Sequence, residues 1–171
     1  MVESSDAPVE PNEPLESSGP TRPIEEDIDE VYERIYMSNQ PAAACLETIQ
    51  KNGITHIIRV TPSPTPQHSG IAYLVFDKIF DDSAQELLPF FTESNLFIKQ
   101  ALEENAANRV LIHCSRGISR SAAFAAAYMI AEAKFSLEEA LTYGQLNREH
   151  FSPNRNFLAQ LQTLEQVFIK P

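Results

Sequence analysis

The chain is poor in cysteine, in basic residues and in long apolar runs, and each shortage removes a class of protein. Its two cysteines, Cys45 and Cys114, are too few and too ill-spaced for a disulfide framework or a zinc site. That usage points to a reducing setting, cytoplasmic and/or nuclear. Only 13 Lys and Arg stand against 24 Asp and Glu, so no basic stripe is available to grip a nucleic-acid backbone. The longest apolar run, 122–131, falls well short of the ~20 residues that a membrane span needs. No charged, then apolar, then small-residue pattern opens the chain, so no signal peptide is expected. Nucleic acid and membrane are therefore not expected partners.

What charge there is lies unevenly. Residues 1–30 carry a net −9 and the remainder only −2, so the acidity belongs to the beginning of the chain. That stretch holds Pro8, Pro11, Pro14, Pro20 and Pro23 among Ser and Glu, with few apolar side chains to offset ordering entropy. A disordered, acidic, proline-rich tail is expected over 1–27, and a single domain over 28–171. With 43% hydrophobic residues the domain can build a core.

Within it, strands are predicted at 31–36, 54–60, 72–76 and 109–112. Helices are predicted at 42–52, opened by Pro41 and ended by Gly53, at 86–104, at 122–133, at 137–149 with Ser136 as cap, and at 154–168. The helix at 122–133 is apolar on nearly every side, which marks a central, buried element. Residues 61–70, opening Thr-Pro-Ser-Pro-Thr-Pro, cannot donate ladder hydrogen bonds and read as an extended surface loop. Strands alternating with helices argue for an α/β layered fold with a largely parallel sheet.

The informative stretch is His-Cys-Ser-Arg-Gly-Ile-Ser-Arg-Ser over 113–121, set between a strand and the buried helix. A loop wrapped around a helix start aims several N–H groups at one point and, with the helix dipole, makes a socket for a phosphate dianion. The same field favours a thiolate at Cys114. Arg120, six residues on, can return across the socket and offer a planar fork to two phosphate oxygens. Gly117 sits where the backbone must turn tightly. His113 is placed to hold the loop and the thiolate, and Ser121 puts a hydroxyl beside the sulfur to ease its departure. Ser115, Arg116, Gly117, Ile118, Ser119 and Arg120 form the phosphate-binding set. Cys45, in an apolar helix, reads as packing.

These residues resemble the signature of the protein tyrosine phosphatase superfamily, His-Cys, five residues, Arg, then Ser or Thr. The run Gly-Ile-Ser-Arg-Ser-Ala-Ala over 117–123 is similar to the dual-specificity branch, in its small atypical form. Gly53, Ile54, Thr55, His56, Ile57 and Ile58 match that family's second strand and lead-in. Ser152, Pro153, Asn154, Phe157, Gln160 and Leu161 resemble its late segment. The likeness implies a three-layer α/β fold, with a twisted, largely parallel sheet flanked by helices.

It also implies a cysteine-dependent phosphatase that needs neither metal nor other cofactor. The expected substrates are phosphotyrosine and phosphoserine or phosphothreonine on proteins, cleaved through a phosphocysteine intermediate. Asp81 falls where the family places its general acid, with Asp82 as the rival, and Asp77 reads as structural. Asn154 should brace the phosphate loop from behind. Arg116 either reads an acidic neighbour of the phosphosite or an extra substrate phosphate, or is a solvated rim residue. His56 and His150 read as structural. Two alternatives stand beside this reading. One is a scaffold like the styx-type pseudophosphatases, which bind phosphorylated partners without turnover but lack the cysteine found here. The other is the same chemistry on a non-protein phosphate.

Overall fold

A computed structural model describes residues 22–169. Five strands, Ile28–Tyr32 (β1), Ile35–Ser38 (β2), His56–Val60 (β3), Ala72–Phe76 (β4) and Val110–His113 (β5), form one sheet in the order β1-β2-β5-β3-β4. β1 and β2 pair antiparallel, and the other neighbours pair parallel. The helices are Gln40–Ala44 (α1), Leu46–Lys51 (α2), Leu88–Glu104 (α3), Arg120–Ala131 (α4), Leu137–Asn147 (α5) and Arg155–Phe168 (α6).

The two-residue period of the strands decides the layers. Ile35, Met37, Ile58, Val60, Val110 and Ile112 point to one face and pack with α3, α4, α5 and α6. Tyr36, Ile57 and Leu111, one residue out of step, point to the other and pack with Ala43 and Ile49 of α1 and α2. The expected three layers are present. All twelve residues of α4 are buried, and its alanines let it lie close to the sheet. Phe124 on α4 stacks on Phe76 at 5.4 Å and meets Phe91 edge-on at 5.2 Å. Removing a ring so placed costs about 3–5 kcal/mol. Among the described residues no helix is long and apolar enough to cross a membrane.

Three expectations need correction. The run 31–36 is not one strand: Glu33 and Arg34 turn the chain, Arg34 takes φ +59, and its N–H donates to Glu30 Oε1 at 2.7 Å. Two adjacent polar residues serve a hairpin turn better than the single outward position a strand would give them. The helix at 42–52 is two helices, capped first by the Asn39 side chain, which accepts from the Ala42 N–H at 2.8 Å. Cys45 breaks them with extended backbone. It is partly buried, and the Thr48 hydroxyl and N–H draw its thiol below the ordinary value.

The third concerns the tail. Over 1–21 that expectation lies outside the described residues, but residues 22–27 belong to the domain. Ile24–Glu26 form a short 3-10 helix, Asn39 Nδ2 donates to Ile24 O at 2.9 Å, and the Thr48 hydroxyl to Glu25 O at 2.7 Å.

Candidate active site

β5 lies mid-sheet with β2 and β3 parallel on either side, so three strands deliver their carboxyl ends to one crevice. From β5 the chain passes directly into the loop 114–119 and then into α4. No side chain caps the start of α4, so its first N–H groups remain available to an anion.

The loop is collared from outside. Ser115 O accepts from the Gln40 N–H at 3.1 Å, and Ile118 O from the Ser152 N–H at 2.9 Å. Gly117 O accepts from Arg148 Nε at 2.9 Å. A trans peptide is planar with C=O and N–H opposed, so carbonyls drawn outward turn the N–H groups of Arg116, Ile118 and Ser119 inward. Gly117 takes φ +66, and a Cβ there would stand 2.5 Å from the Ser38 backbone. Conformation and space both demand glycine.

Cys114, 2% exposed, sits inside this collar. Its Sγ lies 3.2 Å from the Gly117 N–H and 3.3 Å from Ser121 Oγ. Burial pushes the thiol up, but the Ser121 hydroxyl and N–H, the Arg120 charge and the Ile118 N–H outweigh it, and the net shift is downward. Arg120 crosses the loop, donating from Nη2 to Ser115 Oγ at 3.1 Å and from Nη1 to Ile79 O at 3.2 Å. Its Nε is buried without a partner, a donor of the kind a phosphate oxygen would satisfy. Ser115 Oγ also meets Thr61 Oγ1 at 3.0 Å, which ties the start of the proline-rich loop to the crevice.

His113 lies buried at the end of β5, beside the loop. Burial, and to a lesser degree the Arg59 and Arg120 charges, hold its imidazole down to about 4. It is neutral near pH 7, with Nδ1 3.4 Å from Cys114 O, so it supports the loop as a neutral ring and not as a cation beside the sulfur.

The two aspartates are told apart by their partners. Asp82 Oδ1 accepts from the N–H groups of Ala84 and Gln85 at 2.9 and 2.8 Å, and so serves its own turn. Asp81 faces the loop: Oδ1 accepts from Ser119 Oγ at 2.7 Å and from Asn154 Nδ2 at 2.8 Å. With Oδ1 taken by two donors, Oδ2 is the oxygen left for a proton. Arg116, 73% exposed, brings a guanidinium within 3.9 Å of that oxygen. Asn154 also caps α6 through Phe157 N–H and gives its own N–H to Ser119 Oγ at 2.9 Å. It thus holds both the loop and Asp81. His56 packs edge-on to Phe97, as a structural residue would.

Arg148 was hidden from the sequence, which placed it inside a helix. The helix ends at Asn147, and Arg148 turns its side chain, 4% exposed, under Gly117 with Asp27 and Asp29 as its partners. Those aspartates come from the region assigned to the tail and the first residues after it, and no spacing rule links them to 148. Among the described residues no group of three or more His, Cys, Asp or Glu is placed to hold a metal ion.

The catalytic-domain model of the dual specificity phosphatases matches residues 35–167. The tyrosine-protein phosphatase yvh1 of Schizosaccharomyces pombe is 37% identical over 142 residues, 80% of this chain and 41% of its own length. Protein phosphatase Slingshot of Drosophila melanogaster is 32% identical over 133 residues, 78% of this chain and 12% of its own. The chain thus spans less than half of either relative. A mouse putative dual specificity phosphatase, solved with zinc tungstate, superposes with a TM-score of 0.78 at 29% identity, covering 89% of this chain and 93% of that one. The human tyrosine phosphatase-like serine/threonine/tyrosine-interacting protein gives 0.76 at 31% identity, covering 82% and 97%.

Proposed function

The chain belongs to the dual specificity phosphatase family, and from that premise we propose that it hydrolyses phosphate esters of tyrosine and of serine or threonine on proteins, with Cys114 as nucleophile. In the first step the Cys114 thiolate forms an S–P bond as the ester P–O bond breaks, and Asp81 Oδ2 gives its proton to the departing oxygen. In the second, a water oxygen forms a P–O bond as the S–P bond breaks. Asp81 takes the water's proton, and the Ser121 hydroxyl hydrogen-bonds the returning thiolate. Throughout, the inward N–H groups and the Arg120 fork bear the charge on the equatorial oxygens, so fixed dipoles and positioning supply most of the catalysis.

One observation carries this reading. A sulfur with a depressed pKa lies inside a ring of main-chain donors, beside an arginine whose Nε has no partner. The binding-scaffold alternative draws support from the 31% identity to the human interacting protein. Against it stands the assembly of Cys114, Arg120 and Asp81 in one crevice. Protein substrates are favoured over RNA or lipid because the region beyond residue 30 is nearly charge-balanced rather than basic.

Hydrolysis of a small aryl phosphate in the presence of chelator tests it. The wild-type chain should turn over and be inhibited by vanadate. Cys114→Ser should lose at least about 10⁴-fold in kcat while still binding substrate. Equal inactivity of both would favour the scaffold.

A further inference from the structure

The peptide joining Gly117 to Ile118 is the part of the collar least able to hold itself. Gly117 must be glycine, because a Cβ would meet Ser38 at 2.5 Å and Arg148 Nη2 at 2.7 Å. Glycine, however, moves between left- and right-handed backbone at little cost. Nothing intrinsic to residue 117 therefore stops the peptide from flipping. A flip would turn the Gly117 carbonyl toward the sulfur and the Ile118 N–H away from it.

The surroundings supply the missing constraint. Arg148 Nε donates to Gly117 O at 2.9 Å. Nη1 donates to Asp27 at 3.0 Å and also to Asp29, and Nη2 to Asp27 at 2.8 Å. A planar guanidinium bonded at all three nitrogens has one orientation. Arg22 pairs with the same two aspartates from the outer side, and Glu149 and His150 line the same cleft. Burial pushes the Asp27 carboxyl up, but the hydrogen bonds and charges of Arg148 and Arg22 bring it below its ordinary value, so the clamp stays charged near neutral pH. Peptide planarity then carries the effect inward: a carbonyl held on Arg148 directs the Ile118 N–H to the opposite side, toward Cys114.

We propose that Arg148, fixed by Asp27 and Asp29, is a positioning residue that locks the Gly117–Ile118 peptide with its N–H turned toward the sulfur and the phosphate site. Arg148 itself touches neither. The proposal deepens the phosphatase reading and rests on it for the identity of the site. It also gives residues 22–29 a task beyond closing the sheet edge, since they anchor the back of the phosphate loop.

The test is the pH dependence of Cys114 alkylation by iodoacetamide in the full chain. Modified peptides are resolved by mass spectrometry so that Cys45 is followed separately. Arg148→Met, Arg148→Lys and the double variant Asp27→Asn/Asp29→Asn are compared with wild type. Positioning predicts that the Cys114 midpoint rises by about one pH unit in all three, as one donor to the thiolate is lost. The Cys45 midpoint should not move. The last two variants separate positioning from a plain charge effect. Lysine keeps the charge, so a field acting at a distance predicts no shift there. Removing two carboxylates predicts, through the field alone, a lower midpoint rather than a higher one. A Cys114 midpoint that is unchanged or lower in a folded Asp27→Asn/Asp29→Asn or Arg148→Lys chain overturns the proposal, whatever happens to stability. The readout needs no turnover. A wild type that shows the shifted thiol but hydrolyses nothing would refute the enzymatic reading and leave the clamp standing.

Discussion

The two segments that carry the candidate chemistry are held in opposite ways. The phosphate loop, 114–119, runs between a mid-sheet strand and a fully buried helix, and its carbonyls are drawn outward by Gln40, Arg148 and Ser152. The acid-bearing segment between β4 and α3 has no regular structure and is largely exposed. It is tied down by amide side chains from α6. Gln160 Oε1 accepts from Leu87 N–H at 2.6 Å and its Nε2 donates to Gln85 O at 2.9 Å, while Asn156 Nδ2 donates to the same carbonyl at 2.7 Å. With the α6 cap Asn154 on Asp81, the first turns of one helix and its cap set the segment. The difference suits the proposed tasks. Stabilising a phosphoryl transition state needs many dipoles fixed together, whereas a proton donor needs one oxygen in place.

Breaking the loop should therefore cost most. Gly117→Ala forces a left-handed, non-glycine backbone against Ser38, and kcat/KM toward an aryl phosphate should fall by about 10³-fold as donors are displaced. Thermal melting should register the same strain.

Next comes the loop's anchor in β5. His113 titrates near 4 in the folded chain against an ordinary 6.5. Between those values the unfolded chain binds the extra proton, so stability rises with pH across this window. The contribution is complete above about pH 6.5 and is lost as pH falls toward 4, amounting to roughly 3 kcal/mol. Urea unfolding at a series of pH values measures it, and His113→Asn should flatten that slope.

The acid segment should show smaller, more selective effects. Asp81→Asn is expected to lower kcat by about 10²-fold and remove the alkaline limb of the pH–rate profile, with the fold intact. Asp82→Asn should leave the rate nearly unchanged and loosen the turn by about 1 kcal/mol, read from the unfolding midpoint. If the two exchange effects, the assignment of the acid is off by one residue.

Much of this was legible beforehand because it is local. Residues 113–121 are contiguous, and a strand, a glycine, an arginine and a buried helix in register leave little freedom in what the loop can be. Period-two apolar strands and the nearly all-apolar 122–133 fixed the layers. Where the reading failed, the cause was short range competing with long range. Val31 to Tyr36 has the composition of one strand, but Glu33 and Arg34 fold it into a hairpin. Cys45 looks like packing until the backbone breaks there.

Asp27 and Asp29 are indistinguishable by composition from the acidic residues before them, and their link to the loop runs through Arg148, about 120 residues later. Local chemistry in the sequence alone singled out the atoms proposed here to hold and attack a phosphate, because loop donors, thiol and guanidinium are neighbours along the chain. The packed structure decided which of two adjacent carboxylates faces them and what keeps their peptide planes turned inward. Those choices depend on hydrogen bonds between segments that meet only when the sheet and helices have closed around the loop.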